Sequence, residues 1–170
     1  MIRLVNVDSR YIRYLYNHDN RVMFNKGQHR PYIGIMFEVR GHKYYAPLTH
    51  PKPKFLNMRN AVDFMRIDGG KLGAINFNNM IPIVDGVLEF IKVSEIEDEK
   101  YKLLLINQED FFADNETEII NRATKLYKAY RSKKLRSEVV VRCCNFYKLE
   151  AVAKKYDPNF KHDPSKVKKH

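Results

Sequence analysis

Cysteine is almost missing. The 170 residues hold two, Cys143 and Cys144, and these are neighbours. An adjacent pair builds neither a disulfide framework nor a zinc site, so both read as ordinary buried thiols. The six histidines are scattered, with no H-x-x-x-H pair and no carboxylate cluster at ligand spacing. No metal or other cofactor is therefore expected. A phosphate-cradling glycine loop is also missing, which disfavours nucleotide triphosphatases as the metal pattern disfavours metal-dependent nucleases. No apolar run approaches the roughly 20 residues of a membrane span. The opening MIRLVNVDS has no signal-peptide core. A cytoplasmic protein is expected, with one domain over residues 1–156, a loose basic tail over 157–170 and no internal repeat.

What is present is positive charge, unevenly placed. Hydrophobic residues make up 44% of the chain and charged residues 30%, as in a globular domain with a sizeable core. The net charge is +11. Residues 1–60 carry 11 Lys/Arg against 3 acids, residues 61–120 carry 5 against 13, and residues 121–170 carry 15 against 4. Two basic regions flanking an acidic one point to an extended polyanion. The bland alternative is a solvated basic surface. A membrane surface is the weaker rival, because no basic amphipathic segment stands beside an anchor.

The most ordered stretch runs from Arg30 to Lys54. In Tyr32–Arg40 the large apolar residues Ile33, Ile35, Phe37 and Val39 fall on odd numbers, the period of a half-buried strand. Arg40-Gly41-His42 supplies a turn in which Gly41 can take a positive φ. Lys43–Leu48 returns as a second strand, and Pro51 stops the ladder. The hairpin thus ends in Thr49 and His50, a hydroxyl beside an imidazole, among Arg30, Lys43, Lys52 and Lys54. A rigid strand end can hold such a pair in fixed geometry within reach of a substrate. A structural turn is the plainer reading.

The flanks complete an α+β pattern. Ile2–Val7 reads as a strand, and Asp8 or Ser9 can cap a helix over Arg10–Asn17. Its Tyr11 and Tyr14 suit either core packing or base stacking. Residues 18–31 form a basic loop with Arg21, Lys26, His29 and Arg30. A second basic loop, 51–60, leads to short strands at Ala61–Ile67, Leu72–Ile75, Met80–Val84 and Val87–Val93. Asp68-Gly69-Gly70-Lys71 and Asn76-Phe77-Asn78-Asn79 are the turns. Five to seven antiparallel strands with tight turns suggest a small, strongly bent sheet or barrel. Ser94 can cap a helix with Leu103, Leu104, Ile106, Phe111 and Phe112 on its apolar side. A second helix covers Glu116–Ser132, with Ile119, Ile120, Ala123, Leu126 and Tyr127 inward. Residues 137–144 fit strand or helix, and Asn145 can cap a last helix over Phe146–Tyr156.

RNA offers chemistry that needs no metal, because its 2′-hydroxyl can attack the adjacent phosphodiester. The protein must then remove that proton, stabilise the phosphorane and protonate the leaving 5′-oxygen. An imidazole at position 50 can act as base or acid. Arg30 or Lys52 can stabilise the developing charge, and Thr49 can donate to a non-bridging oxygen. By spacing alone this signal is weak.

The string Y-I-G-I-x-x-E-V-x-G-H-K-Y-x-A-P-L-T-x-P-K, from Tyr32 to Lys52, resembles the toxin endoribonucleases of type III toxin–antitoxin systems, the ToxN, AbiQ and CptN group. Asp8–Leu15 resembles the family's first helix. Leu72–Ile83 fits its L-G-x-I-N-x-x-x-M-I-P-I segment, Tyr101–Gln108 its Y-K-x-x-L-x-x-Q helix, and Cys144-Asn145-Phe146 its C-N-F helix start. The match covers most of the chain in order. It implies a strongly bent antiparallel SH3-like barrel with added helices, similar to the MazF and Kid toxins. It implies metal-independent cleavage of adenine-rich single-stranded RNA, leaving a 2′,3′-cyclic phosphate and a 5′-hydroxyl. It also implies processing of, and inhibition by, a repeated small RNA pseudoknot in a closed protein–RNA assembly, and in some members phage defence by abortive infection.

Residue by residue, Thr49 matches the family's active-site threonine and Tyr11 its first-helix tyrosine, which joins the catalytic set. His50 stands where the best-known members carry serine, and Arg30 where a catalytic lysine is usual. Both replacements keep workable chemistry, since imidazole transfers protons and guanidinium grips phosphate bidentately. Lys26 is the alternative cation if the preceding loop has shifted. Arg21, Lys26, Lys43, Lys52 and Lys54 would meet phosphates. Tyr101 offers a ring for stacking, and Asn76, Asn78 and Gln108 can read base edges. Asn76 can equally brace its turn. The basic C-terminal helices can grip the antitoxin RNA. A noncatalytic RNA-binding module, or a translation regulator that sequesters RNA, is the alternative from another class.

Overall fold

The computed structural model describes residues 2–24 and 30–159. Lys26, and the tail from residue 160 onward, therefore lie outside the described residues. Among the described residues, seven strands and five α-helices follow in the order β1 (Arg3–Val7), α1 (Ser9–His18), β2 (Tyr32–Val39), β3 (His42–Thr49), β4 (Phe64–Arg66), β5 (Ala74–Asn76), β6 (Ile81–Ile83), β7 (Leu88–Phe90), α2 (Glu99–Asp114), α3 (Glu116–Arg131), α4 (Ser137–Arg142) and α5 (Phe146–Ala153). The class is α+β, with an antiparallel sheet.

Strand β3 is the hub. One edge pairs with β2 through Tyr32↔Pro47, Ile33↔Ala46 and Val39↔His42. The other edge is shared. Its first half pairs with β6 (Lys43↔Ile83) and its last two residues with β5 (Leu48↔Ile75, Thr49↔Ala74). The path runs β4-β5-β3-β2-β1-β7, and its end strands do not pair with each other, so the sheet is not closed. The expected barrel is here an open, divided sheet.

The local devices are those the sequence suggested, with two exceptions. Arg40 (φ 51°) and Gly41 (φ 78°) make the hairpin turn. Asp8 accepts from the Arg10 amide at the start of α1, and Asn145 from the Lys148 amide at the start of α5. The first exception lies in β2. The register shifts between Ile33 and Phe37, so Ile35 turns out (41% exposed) and Met36 turns in. The second is α2, which starts at Glu99. Asp98 caps it by accepting from the Tyr101 amide, while Val93–Glu95 makes a separate 3₁₀ turn. The buried face of α2 also differs from the expected one. Leu105, Gln108 and Phe112 are buried, while Leu103 (58%) and Ile106 (39%) are exposed. Of the two readings open for 137–144, Ser137–Arg142 takes the helical one.

The core is one cluster drawn from the sheet, all five helices and the loops between them. Cys143 and Cys144 sit in it as free thiols, and burial pushes the Cys143 thiol up to about 12. Phe77 is fully buried. Among the described residues, no helix is long and apolar enough to cross a membrane.

Candidate active site

Three segments converge on the end of β3. Thr49 is its last residue, and His50 and Pro51 lead away into the loop. Arg30 stands just ahead of β2, and the carbonyl of the next residue, Pro31, accepts from the Leu48 amide (3.0 Å). The Arg30 Nη1 donates to the Leu48 carbonyl (2.8 Å) and reaches 3.5 Å from Thr49 Oγ1. From the other side, Asn76 at the end of β5 donates its side-chain amide to Thr49 Oγ1 (2.5 Å). The threonine oxygen thus accepts from a neighbouring amide, with a guanidinium close by. Its own proton is left to point towards a third group.

The approach of β5 depends on Gly73. A Cβ there would collide with the Thr49 carbonyl oxygen, and its φ of +100° suits glycine alone. Leu72, one residue earlier, gives its carbonyl to the Gln108 side-chain amide of α2 (2.9 Å). Tyr101, Leu104, Leu105 and Gln108, spaced along one face of α2, close the site against Pro31, Leu48, Thr49 and His50. The cleft between them holds about 10 Å³, near the size of one water, so a phosphodiester would lie across its mouth. The His50 side chain is exposed, with its ring centroid 6.4 Å from that of Tyr101.

The charge pattern suits an anion. Burial lowers the Arg30 pKa, yet a guanidinium stays charged throughout the physiological range. Burial raises the Tyr101 pKa, so its hydroxyl keeps its proton at neutral pH. No carboxylate lines the cleft among the described residues. Among them, too, no group of three or more His, Cys, Asp or Glu could hold a metal ion. A larger groove of about 860 Å³ runs between Ala61–Val62 and the α2–α3 turn. Its lining mixes Asp114, Glu116 and Glu118 with Arg122 and Lys125, and Arg122 is paired with Glu118 (3.0 Å).

Of the residues expected at the site, the structure joins Thr49, His50, Arg30, Asn76, Tyr101 and Gln108. Lys52 and Lys54 are exposed on the segment that leaves His50. Tyr11 is not brought in. It is fully buried, its hydroxyl donates to the Pro82 carbonyl (2.5 Å), and its ring packs on Tyr14 and Tyr156. Its place in the catalytic set is therefore corrected to a place in the core. Arg21 pairs with buried Asp19 (2.8 Å). Lys43 lies opposite Glu38 near the hairpin turn, six residues and roughly 20 Å of strand from Thr49. The Asn78 side-chain oxygen is buried, and its carbonyl accepts from the Cys144 amide. What the sequence reading missed is the bracket Leu72-Gly73. Its signal was the glycine between two strand segments, which marks close backbone approach.

Comparison with known proteins identifies the family. The family described as toxin ToxN, type III toxin–antitoxin system, matches residues 3–154. An endoribonuclease ToxN from Bacillus thuringiensis subsp. kurstaki is 32% identical over 162 residues, covering 88% of this chain and 81% of that protein. An endoribonuclease ToxN from Pectobacterium atrosepticum is 28% identical over 159 residues, covering 88% of this chain and 90% of that protein. A solved structure from work on selective toxin inhibition by a non-coding RNA pseudoknot superposes with a TM-score of 0.78 at 27% identity, covering 91% of this chain and 97% of that one. The chain belongs to the ToxN family of toxins of type III toxin–antitoxin systems.

Proposed function

We propose that this toxin is a metal-independent endoribonuclease whose reaction centre is the end of β3. The observation that carries the reading is the setting of Thr49. Its oxygen accepts from Asn76 beside the Arg30 guanidinium, and its proton is free to meet a phosphate oxygen. Arg30 then stabilises the charge that builds on the phosphorane. His50, adjacent and exposed, exchanges protons with the 2′-hydroxyl or the leaving 5′-oxygen. Asn76 orients Thr49, and Tyr101 offers a ring and a protonated hydroxyl at the cleft mouth. Lys52 and Lys54 hold backbone phosphates of the same strand.

The substrate class is adenine-rich single-stranded RNA, cut to a 2′,3′-cyclic phosphate and a 5′-hydroxyl. The inhibitor is a repeated RNA pseudoknot, excised by the toxin and then held in a closed protein–RNA assembly in the cytoplasm. Its use in abortive infection by phage follows the same family logic. Residues 1–156 act as one domain, and 157–170 extend its positive charge. The divided sheet is an opened relative of the SH3-like barrel of MazF and Kid toxins. The endoribonuclease relatives and the RNA-inhibited structural neighbour support this reading.

The test is incubation of the purified protein with adenine-rich RNA in excess EDTA, followed by analysis of product ends. Cutting to 2′,3′-cyclic phosphate is expected. Thr49→Ala and His50→Ala should abolish cutting while leaving binding nearly intact. RNA that is bound but stays whole would point to a noncatalytic binding module instead.

A further inference from the structure

Gln108 is an odd residue for a helix face that packs on a sheet. It is 3% exposed, between fully buried Leu105 and nearly buried Phe112. Its amide nitrogen donates to the Leu72 carbonyl, but its Oε1 is buried with no hydrogen-bond partner among the described residues. A buried acceptor left without a donor costs about 1–3 kcal/mol. An apolar side chain of the same length would avoid that cost, so packing alone does not account for a glutamine here. Base reading does not account for it either, since the amide is turned inward and spent on the protein's own backbone.

The bond has an unusual position. Its acceptor, Leu72, immediately precedes Gly73, the residue that seats against the Thr49 carbonyl. Its donor lies seven residues, two helical turns, along α2 from Tyr101, on the face that closes the cleft. One hydrogen bond therefore joins the two walls of the site. The strand-end wall carries Thr49, His50 and Asn76, and the helix wall carries Tyr101. Around it, Leu48, Leu104 and Leu105 line the cleft and add apolar packing. Such packing is non-directional and would tolerate a helix slide that the hydrogen bond forbids.

We infer that Gln108 is a positioning residue of the nuclease cleft, which fixes Tyr101 over Thr49 and His50 through the Leu72 carbonyl. The inference rests on the nuclease reading given above. It assigns Gln108 no contact with RNA.

Gln108→Met keeps length and removes both the tie and the orphan oxygen. Its melting temperature is expected to stay within about 3 °C of wild type, less than the loss of a core residue would bring. With RNA as substrate, kcat should fall about 10- to 100-fold, as misplacement of a reacting group near 1 Å does, while KM stays within about twofold. Tyr101→Phe should cost much less in the Gln108→Met background than in wild type, since the two act through one geometry. Amide hydrogen exchange over residues 101–105 should rise in the free variant. A raised KM at unchanged kcat would overturn the inference in favour of a base contact, and additive losses or unchanged exchange would overturn it too. If Gln108→Met does not fold, Gln108→Glu serves. Its carboxylate cannot donate to Leu72, but its acid form can, so its activity relative to wild type should recover as pH falls. Failure to recover would count against the tie. The exchange measurement needs no RNA, so a wild-type protein that cuts nothing would sink the nuclease reading and leave the tie open to test.

Discussion

At the residue scale, the site turns on how one hydroxyl is solvated by protein. Thr49 Oγ1 receives the Asn76 amide and lies near the Arg30 guanidinium, so its outgoing hydrogen bond is directed rather than free to rotate. Asn76→Ala should release it. The expected outcome is a fall in kcat of about 10-fold with KM within about twofold, read from initial rates on a short RNA. A rise in KM with kcat untouched would instead make Asn76 a base contact. Thr49, His50 and Arg30 were legible in the sequence because a strand ending in a proline exposes its last polar residues, and because the family string runs through them. The Asn76–Thr49 pair was not legible. It depends on the register of β3 with β5, twenty-five residues apart along the chain, which local pattern does not fix. Tyr11 was misplaced for a related reason. A tyrosine on an amphipathic helix can face core or solvent through either end of its ring, and here its hydroxyl finds a buried carbonyl.

At the scale of elements, the hairpin, α1, α3 and α5 followed from periodicity and caps. The two shifts each came from one local competitor. The irregularity in β2 moved Ile35 outward, and Asp98 outcompeted Ser94 as the cap of α2. The ties between elements carry a further prediction. Asp19, just after α1, is buried and accepts from the Asn145 amide that opens α5 (2.6 Å) and from Arg21 (2.8 Å). Burial alone would raise its pKa. The Arg21 ion pair and the two backbone amides outweigh burial and hold it below the ordinary carboxylate value. A carboxyl with a depressed folded pKa adds stability that is present above the unfolded value near 4 and lost as pH falls through the folded value. Asp19→Asn should therefore lower stability at pH 7 by about 1–3 kcal/mol and flatten the acid limb of the denaturation midpoint against pH. An unchanged acid limb would place the acid sensitivity elsewhere.

At the scale of the whole molecule, positive charge gathers in two places, which the proposed function gives to two different RNAs. The cleft lies at one end of β3, with Lys52 and Lys54 on its exit. The helical region from Arg122 to Lys155 holds eleven Lys/Arg against two acids. There Arg131 stacks on the half-exposed ring of Tyr147 (4.7 Å), and Lys128, Lys133, Lys134 and Arg136 are exposed around it. Tyr127, beside them, packs on Phe37 near the hairpin turn, the end of β3 away from Thr49. On the proposed function, a short single strand reacting at Thr49 has no need of this face, whereas a folded antitoxin RNA does. Replacing Lys128, Lys133 and Lys134 with alanine should thus weaken binding of the antitoxin RNA. The slope of log affinity against log salt should become shallower by about 0.7–0.9 for each phosphate no longer neutralised. Cleavage of a short adenine-rich strand should stay within about twofold of wild type, because the groups that stabilise its transition state are untouched. A parallel fall in kcat/KM on the short strand would show that the substrate itself runs over the helices. In that event the two jobs share one continuous track, and inhibition would follow from occupancy of that track alone.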